Sequence, residues 1–183
     1  MNDKYAYANY SLLPNLSYNI FQYLILSKKP EAELLWKLLK YNDADAYEKD
    51  NLTTKEKGEL IYNGGEHQEL YSLFMDFGMD DATDLEKSYL RIYPATIFPD
   101  TRTTGICAVN MEIMVHNKIN QLSNYTTRID TIIHLLITLL NGEDVGGVGV
   151  MFFDGQRSQL CACRTIGNKP YKGKVLTMGV NIG

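Results

Sequence analysis

Apolar residues recur at helical spacing in the first third of the chain and at strand spacing in the last half. Leu16, Ile20, Phe21, Tyr23 and Leu24 fall at intervals of three and four, which predicts an amphipathic helix over Leu16 to Leu26, with Asn15 or Ser17 at its start. Pro30 then occupies a favourable first-turn position, Glu31 and Glu33 sit where the helix dipole favours anions, and Leu34, Leu35, Trp36, Leu38 and Leu39 supply an apolar face. A second helix follows. Thr53 and Glu56 form a capping-box pattern leading into Glu59, Leu60, Ile61 and Tyr62, with Asn63-Gly64-Gly65 as the stop.

The character changes after Gly65. Leu70 to Phe77 is apolar and aromatic, and Met79 to Glu86 is an acidic stretch without periodicity, read as a linker or exposed loop. Tyr89, Leu90, Ile92, Tyr93, Ile97 and Phe98 favour a strand, which Pro94 and Pro99 confine to an edge or break. After the turn Asp100 to Gly105, strict alternation places Val109, Met111, Ile113 and Val115 on one face and Asn110, Glu112, Met114 and His116 on the other.

Thr126 or Thr127 caps a predicted helix from Arg128 to Leu140, whose face of Ile129, Ile132, Ile133, Leu136, Leu139 and Leu140 is expected to cover the sheet. Val148 to Phe153 and Leu160 to Ile166 read as strands paired across Asp154-Gly155, and Gly173 to Val180 as a last strand. The expected fold is α+β: N-terminal helices, then a β-β-α-β-β unit, a small antiparallel or mixed sheet covered by one helix. It is read as a single domain over 1–183, with a helical segment at 1–66 and the β-β-α-β-β core at 85–183.

Length and composition suit one soluble core: 183 residues, 45% hydrophobic and 22% charged. The start lacks a basic flank followed by an apolar run, and Ile132 to Leu140 is interrupted by His134 and Thr138, so neither a signal peptide nor a membrane span is expected. Three cysteines, an odd number, argue against a disulfide framework and for synthesis in a reducing compartment. The net charge of −4 is polarised: residues 1–90 carry 9 Lys/Arg against 16 Asp/Glu, and residues 91–183 carry 9 against 6. An acidic balance argues against tight nucleic-acid binding, and opposite signs at two ends help copies meet.

Enzyme signatures are missing from the sequence: there is no G-x-S-x-G, no phosphate loop with its lysine, no H-E-x-x-H and no Rossmann fingerprint. Gly146-Gly147-Val148-Gly149 precedes a strand and reads as a tight turn rather than a phosphate cradle. The chain is therefore expected not to be an enzyme and to use no cofactor. The alternative is a small α+β ligand- or zinc-binding protein. Cys161 and Cys163 would share one strand face, and Cys107 and His116 would complete four ligands, although buried free thiols are the commoner reading.

The order of elements resembles the tail-terminator and tail-completion proteins of long-tailed phages, in which a small sheet is covered by one helix. The resemblance rests on LRIYPATIFPDTRTTG (90–105), VNMEIMVHN (109–117), RIDTIIHLLITLLNG (128–142) and VGVMFFDGQRS (148–158). IFQYLILSKKPEAELLWKLLKYNDADA (20–46) is similar to the early helices of neck proteins from Bacteroidetes-infecting, crAss-like phages.

The resemblance implies a structural virion protein: a ring of six or twelve copies in the neck or tail, as tail terminator or head–tail connector, assembled in the host cytoplasm. Its partners would be its own copies, other neck, portal-proximal or tail proteins, and genomic DNA passing non-specifically, with no membrane. Tyr is abundant, with 13 copies, and Tyr5, Tyr7, Tyr10, Tyr18 and Tyr23 cluster early as candidate interface residues. Two acidic strings, Asp43, Asp45, Glu48 and Asp50, then Asp80, Asp81, Asp84 and Glu86, are candidates to line a channel, where carboxylates would repel phosphate.

Overall fold

The computed structural model describes residues 10–75, 85–101, 104–145, 147, 149–155, 161–168 and 170–182. A 3-10 turn at Tyr10–Asn15 leads into α1, Leu16–Leu26, which buries Leu16, Ile20, Phe21 and Leu24 completely. Helix α2, Pro30–Lys40, starts on its proline, as the spacing predicts. Its Trp36 donates its indole N–H to the Leu24 carbonyl at 3.0 Å, which satisfies an orphan acceptor at the end of α1 and locks the two helices together.

Helix α3, Thr54–Glu59, carries the expected capping box: Thr53 accepts from the Glu56 N–H, and the Glu56 carboxylate accepts from the Thr53 N–H at 2.8 Å. Its Lys57 is buried and reaches Glu33 of α2 at 2.5 Å. The helix stops at Glu59 rather than continuing to Asn63. The backbone of Leu60 and Tyr62 instead exchanges hydrogen bonds with Ser72 and Leu73, so the apolar Leu60-Ile61 pair joins the sheet margin.

Among the described residues six strands form one sheet: β1 Leu73–Phe74, β2 Ser88–Pro99, β3 Gly105–His116, β4 Met151–Phe152, β5 Ala162–Asn168 and β6 Tyr171–Ile182. The order is β1-β2-β3-β6-β4, with β5 also on β6; β1 lies parallel to β2 and every other pairing is antiparallel. Pro94 does not break β2. Beyond Arg91, β1 no longer covers it, so Pro94 occupies a sheet edge. A bulge between Pro94 and Ile97 sets Ala95 and Thr96 against the single residue Ala108.

The expected hairpin between β4 and β5 does not form. Both strands lie in tandem along the same side of β6: Met151 and Phe152 face Val180 and Gly179, and Ala162 to Asn168 face Thr177 to Tyr171. Alternation in a strand specifies which side chains point inward, not which neighbour it pairs with, and β6, at 12 residues, is long enough to hold both.

The sheet is buried on one face. Leu90 and Ile92, then Val109, Met111, Ile113 and Val115, then Leu176, Met178 and Val180 form the inner side against α1, α2 and α4, Arg128–Leu140. Thr127 caps α4 by accepting from the Asp130 N–H, and Asp130 in turn pairs with Lys174 of β6, pinning the helix across the sheet. One continuous core holds the N-terminal helices and the sheet together.

Candidate assembly surfaces and the open face of the sheet

The early tyrosines are not brought to one place. Tyr5 and Tyr7 lie outside the described residues, as does the side chain of Tyr10. Tyr18 stands half-exposed on α1, whereas Tyr23, five residues on, points elsewhere around the helix and packs partly on the core. Burial, and then its hydrogen bond with Glu143, hold the Tyr23 hydroxyl above its ordinary pKa. Lys29 joins the same group, 2.7 Å from Glu143, tying the end of α1 to the segment after α4. Leu26 beside them is 68% exposed.

Of the acidic candidates, Asp43 and Asp45 share Lys49 at 3.5 and 3.4 Å, while Glu48 and Asp50 are exposed. Asp80, Asp81 and Asp84 lie outside the described residues. Glu86 pairs with Lys118 at 2.5 Å.

The four proposed zinc ligands do not converge. Cys107 and His116 lie nine residues apart on one straight strand, about 30 Å, and the odd offset turns them to opposite faces. His116 is buried, accepts the Lys118 N–H and meets Tyr171 edge-on. Cys161 lies just before β5 and donates to the Phe152 carbonyl, while Cys163 is exposed at the sheet margin. Among the described residues no group of three or more His, Cys, Asp or Glu is placed to hold a metal.

Arg128, which opens α4, carries a role that the sequence reading did not assign. Its guanidinium is fully buried, forms no ion pair among the described residues, and feels the Asp43 carboxylate only at longer range. It donates from Nε to the Ile119 carbonyl (2.9 Å), from Nη1 to those of Leu38 (2.8 Å) and Tyr41 (2.6 Å), and from Nη2 to that of Asp43 (2.7 Å). Burial lowers its pKa to about 10, far enough above neutrality that the charge remains. The signal was available: a cation in the first turn opposes the helix dipole, so its charge is expected to be used elsewhere.

Among the described residues no helix lies over the outer face of the sheet, which divides into two ends. At one end an aromatic chain closes it: Tyr62 packs edge-on against Tyr71, Phe74 against Tyr62 and Tyr89, and Tyr89 against Tyr171 at 5.8 Å. Four of the 13 tyrosines thus go into a small second core. Across the middle, Arg91 of β2 pairs with Glu112 of β3 at 3.3 Å, both largely buried. Beside them Thr177 donates to Asn110 Oδ1 at 2.8 Å, and the Asn110 amide reaches the Tyr93 hydroxyl at 3.5 Å.

At the other end small residues leave a hollow of about 250 Å³. Its floor is Ala108, Asn110 and Thr177; Ala95, Thr96 and Phe98 of the bulged part of β2 form one wall, and Ala162 and Arg164 of β5 the other.

The YomW family model matches residues 32–180, from α2 to β6 and so across both the buried arginine and the hollow. No curated protein matches the chain.

Proposed function

This chain belongs to the YomW family, a family of phage-like, prophage-type proteins, and from that premise we propose that it is a structural virion protein forming a ring in the phage neck or tail. It acts there as a tail terminator or head–tail connector through which DNA passes. The observation that carries this reading is that the molecule has two unlike sides: a helical side with exposed Tyr18, Leu26, Glu48 and Asp50, and an open sheet face. A closed ring with head-to-tail contacts needs two different patches on each copy. The exposed carboxylates suit a channel lining that repels phosphate. Among the described residues no helix is long and apolar enough to cross a membrane.

Size-exclusion chromatography with light scattering, followed by negative-stain imaging, tests the proposal. Rings of six or twelve copies with a central hole are expected, alone or once the adjoining neck or tail protein is added. A monomer under both conditions overturns it.

A further inference from the structure

We propose that the hollow on the open face of the sheet is a binding site for a carboxylate on a short aliphatic stem. Three features point there independently. The first is charge: among the described residues Arg164 is the one ionisable group lining the hollow, it is exposed, and it has no ion pair or hydrogen bond with any of them. The neighbouring Arg91, by contrast, has Glu112 beside it. A guanidinium presents a planar fork that suits the two oxygens of a carboxylate.

The second is polar geometry. Two residues of β2 face one of β3 at the bulge, which takes the Ala95-Thr96 backbone out of the regular ladder beside the hollow. Asn110 accepts from Thr177 through its carbonyl oxygen, so its amide group points its hydrogens away from that bond, and one of them remains after Tyr93 is served. Arg164, the Thr96 hydroxyl and the Asn110 amide are thus donors around one space that no described carboxylate lines.

The third is size and floor. Pockets for drug-sized ligands hold roughly 300–1,000 Å³, and this one is smaller, at about 250 Å³. Ala108, Ala162 and the Phe98 ring make part of its lining apolar, which suits a few methylenes behind the charged group better than a bare inorganic anion. An acidic side chain of a second copy and a free short-chain acid share this chemistry. The inference does not rest on the ring reading, because the site is complete within one chain.

The test is an NMR titration of isotope-labelled full-length protein with propionate and glutarate, with chloride and propylamine as controls. It is paired with sedimentation measurements of self-association for the wild type, Arg164→Gln and Arg164→Lys. Saturable shifts at Ala95, Thr96, Ala108 and Asn110 are expected with the acids alone. Binding should be roughly ten-fold or more weaker in Arg164→Gln and intermediate in Arg164→Lys, with near-ultraviolet circular dichroism unchanged. If the free acids do not bind but Arg164→Gln weakens self-association ten-fold, the carboxylate comes from the second copy. Acid-induced shifts that persist in Arg164→Gln, or neither binding nor a change in self-association, overturn the proposal.

Discussion

The Nη1 of Arg128 lies 2.6 Å from the Tyr41 carbonyl oxygen, so the first residue of one helix closes the last turn of another that precedes it by some ninety positions. The carbonyls at the end of α2 carry the negative pole of that helix, and together with the charge of Asp43 they compensate the buried cation. Replacing Arg128 by Met leaves the acceptors of Ile119, Leu38, Tyr41 and Asp43 without their donor. Urea denaturation is expected to show a loss of about 3 kcal/mol, only partly recovered by Lys, whose single ammonium cannot span the four positions. Equal stability of Arg128→Met and wild type would remove this contact from the account of the fold.

Two glycines differ in what an added methyl group would strike. At Gly149, with φ +142°, a Cβ would lie 1.7 Å from the Asn181 carbonyl oxygen, which is backbone and cannot turn away. At Gly179 it would meet the Phe152 ring at 2.1 Å, and a side chain can move. Gly149→Ala is expected to cost about 2–3 kcal/mol with no rescue from truncating a neighbour. Gly179→Ala is expected to cost about 1–3 kcal/mol, less in the background of Phe152→Leu, as a double-mutant thermal-melt cycle would read.

Two of the three thiols, Cys107 and Cys163, are set apart by their surroundings. Burial pushes Cys107 up to about 11, so at pH 8 it is held as the inert thiol within the core. Cys163 is also raised by burial, though Lys174 opposes the rise and its side chain meets solvent. Timed alkylation followed by mass spectrometry should modify Cys163 first and Cys107 only on unfolding. Early labelling of Cys107 would contradict the placement of β3.

Acid should loosen the clasp between α4 and the sheet. Lys174, then Thr127, hold the Asp130 carboxyl below its usual range, and Lys29, then Tyr23, do the same for Glu143. A carboxylate with a depressed folded pKa adds stability above its unfolded value, about 4, and that stability is lost as pH falls through the folded value. The urea midpoint should therefore change little from pH 7 to 5 through these two groups and fall below about pH 4. In Asp130→Asn that acid-side fall should be shallower. An identical profile in the variant would show that the pair with Lys174 does not contribute.

Helices α1, α2 and α4 and strand β3 were legible because each has a long, unambiguous period, reinforced by a proline at the start of α2 and the Thr127 cap of α4, whereas Asn15 at the start of α1 makes no side-chain cap bond. The partnering of β4 and β5 was not, because both runs alternate and nothing local distinguishes a hairpin from two strands docked on β6. The hollow was invisible for a related reason: Ala108, Thr177 and Ala162 are ordinary small residues until the register places them in adjacent rows. Early tyrosines looked like a cluster along the chain, but the five-residue step from Tyr18 to Tyr23 separates them around α1.

The two margins of the sheet invite additional strands unequally. The outer half of β2 is interrupted by Pro94, which has no N–H, and by the bulge that follows, whereas β5 carries no proline and pairs only with β6 among the described residues. Among the described residues the blunted margin of β2 is a poorer template for strand addition than β5. Closure of a ring needs two unlike contacts on each copy, and one unblunted strand margin among the described residues could supply at most one of them, so the other would come from a face of the molecule.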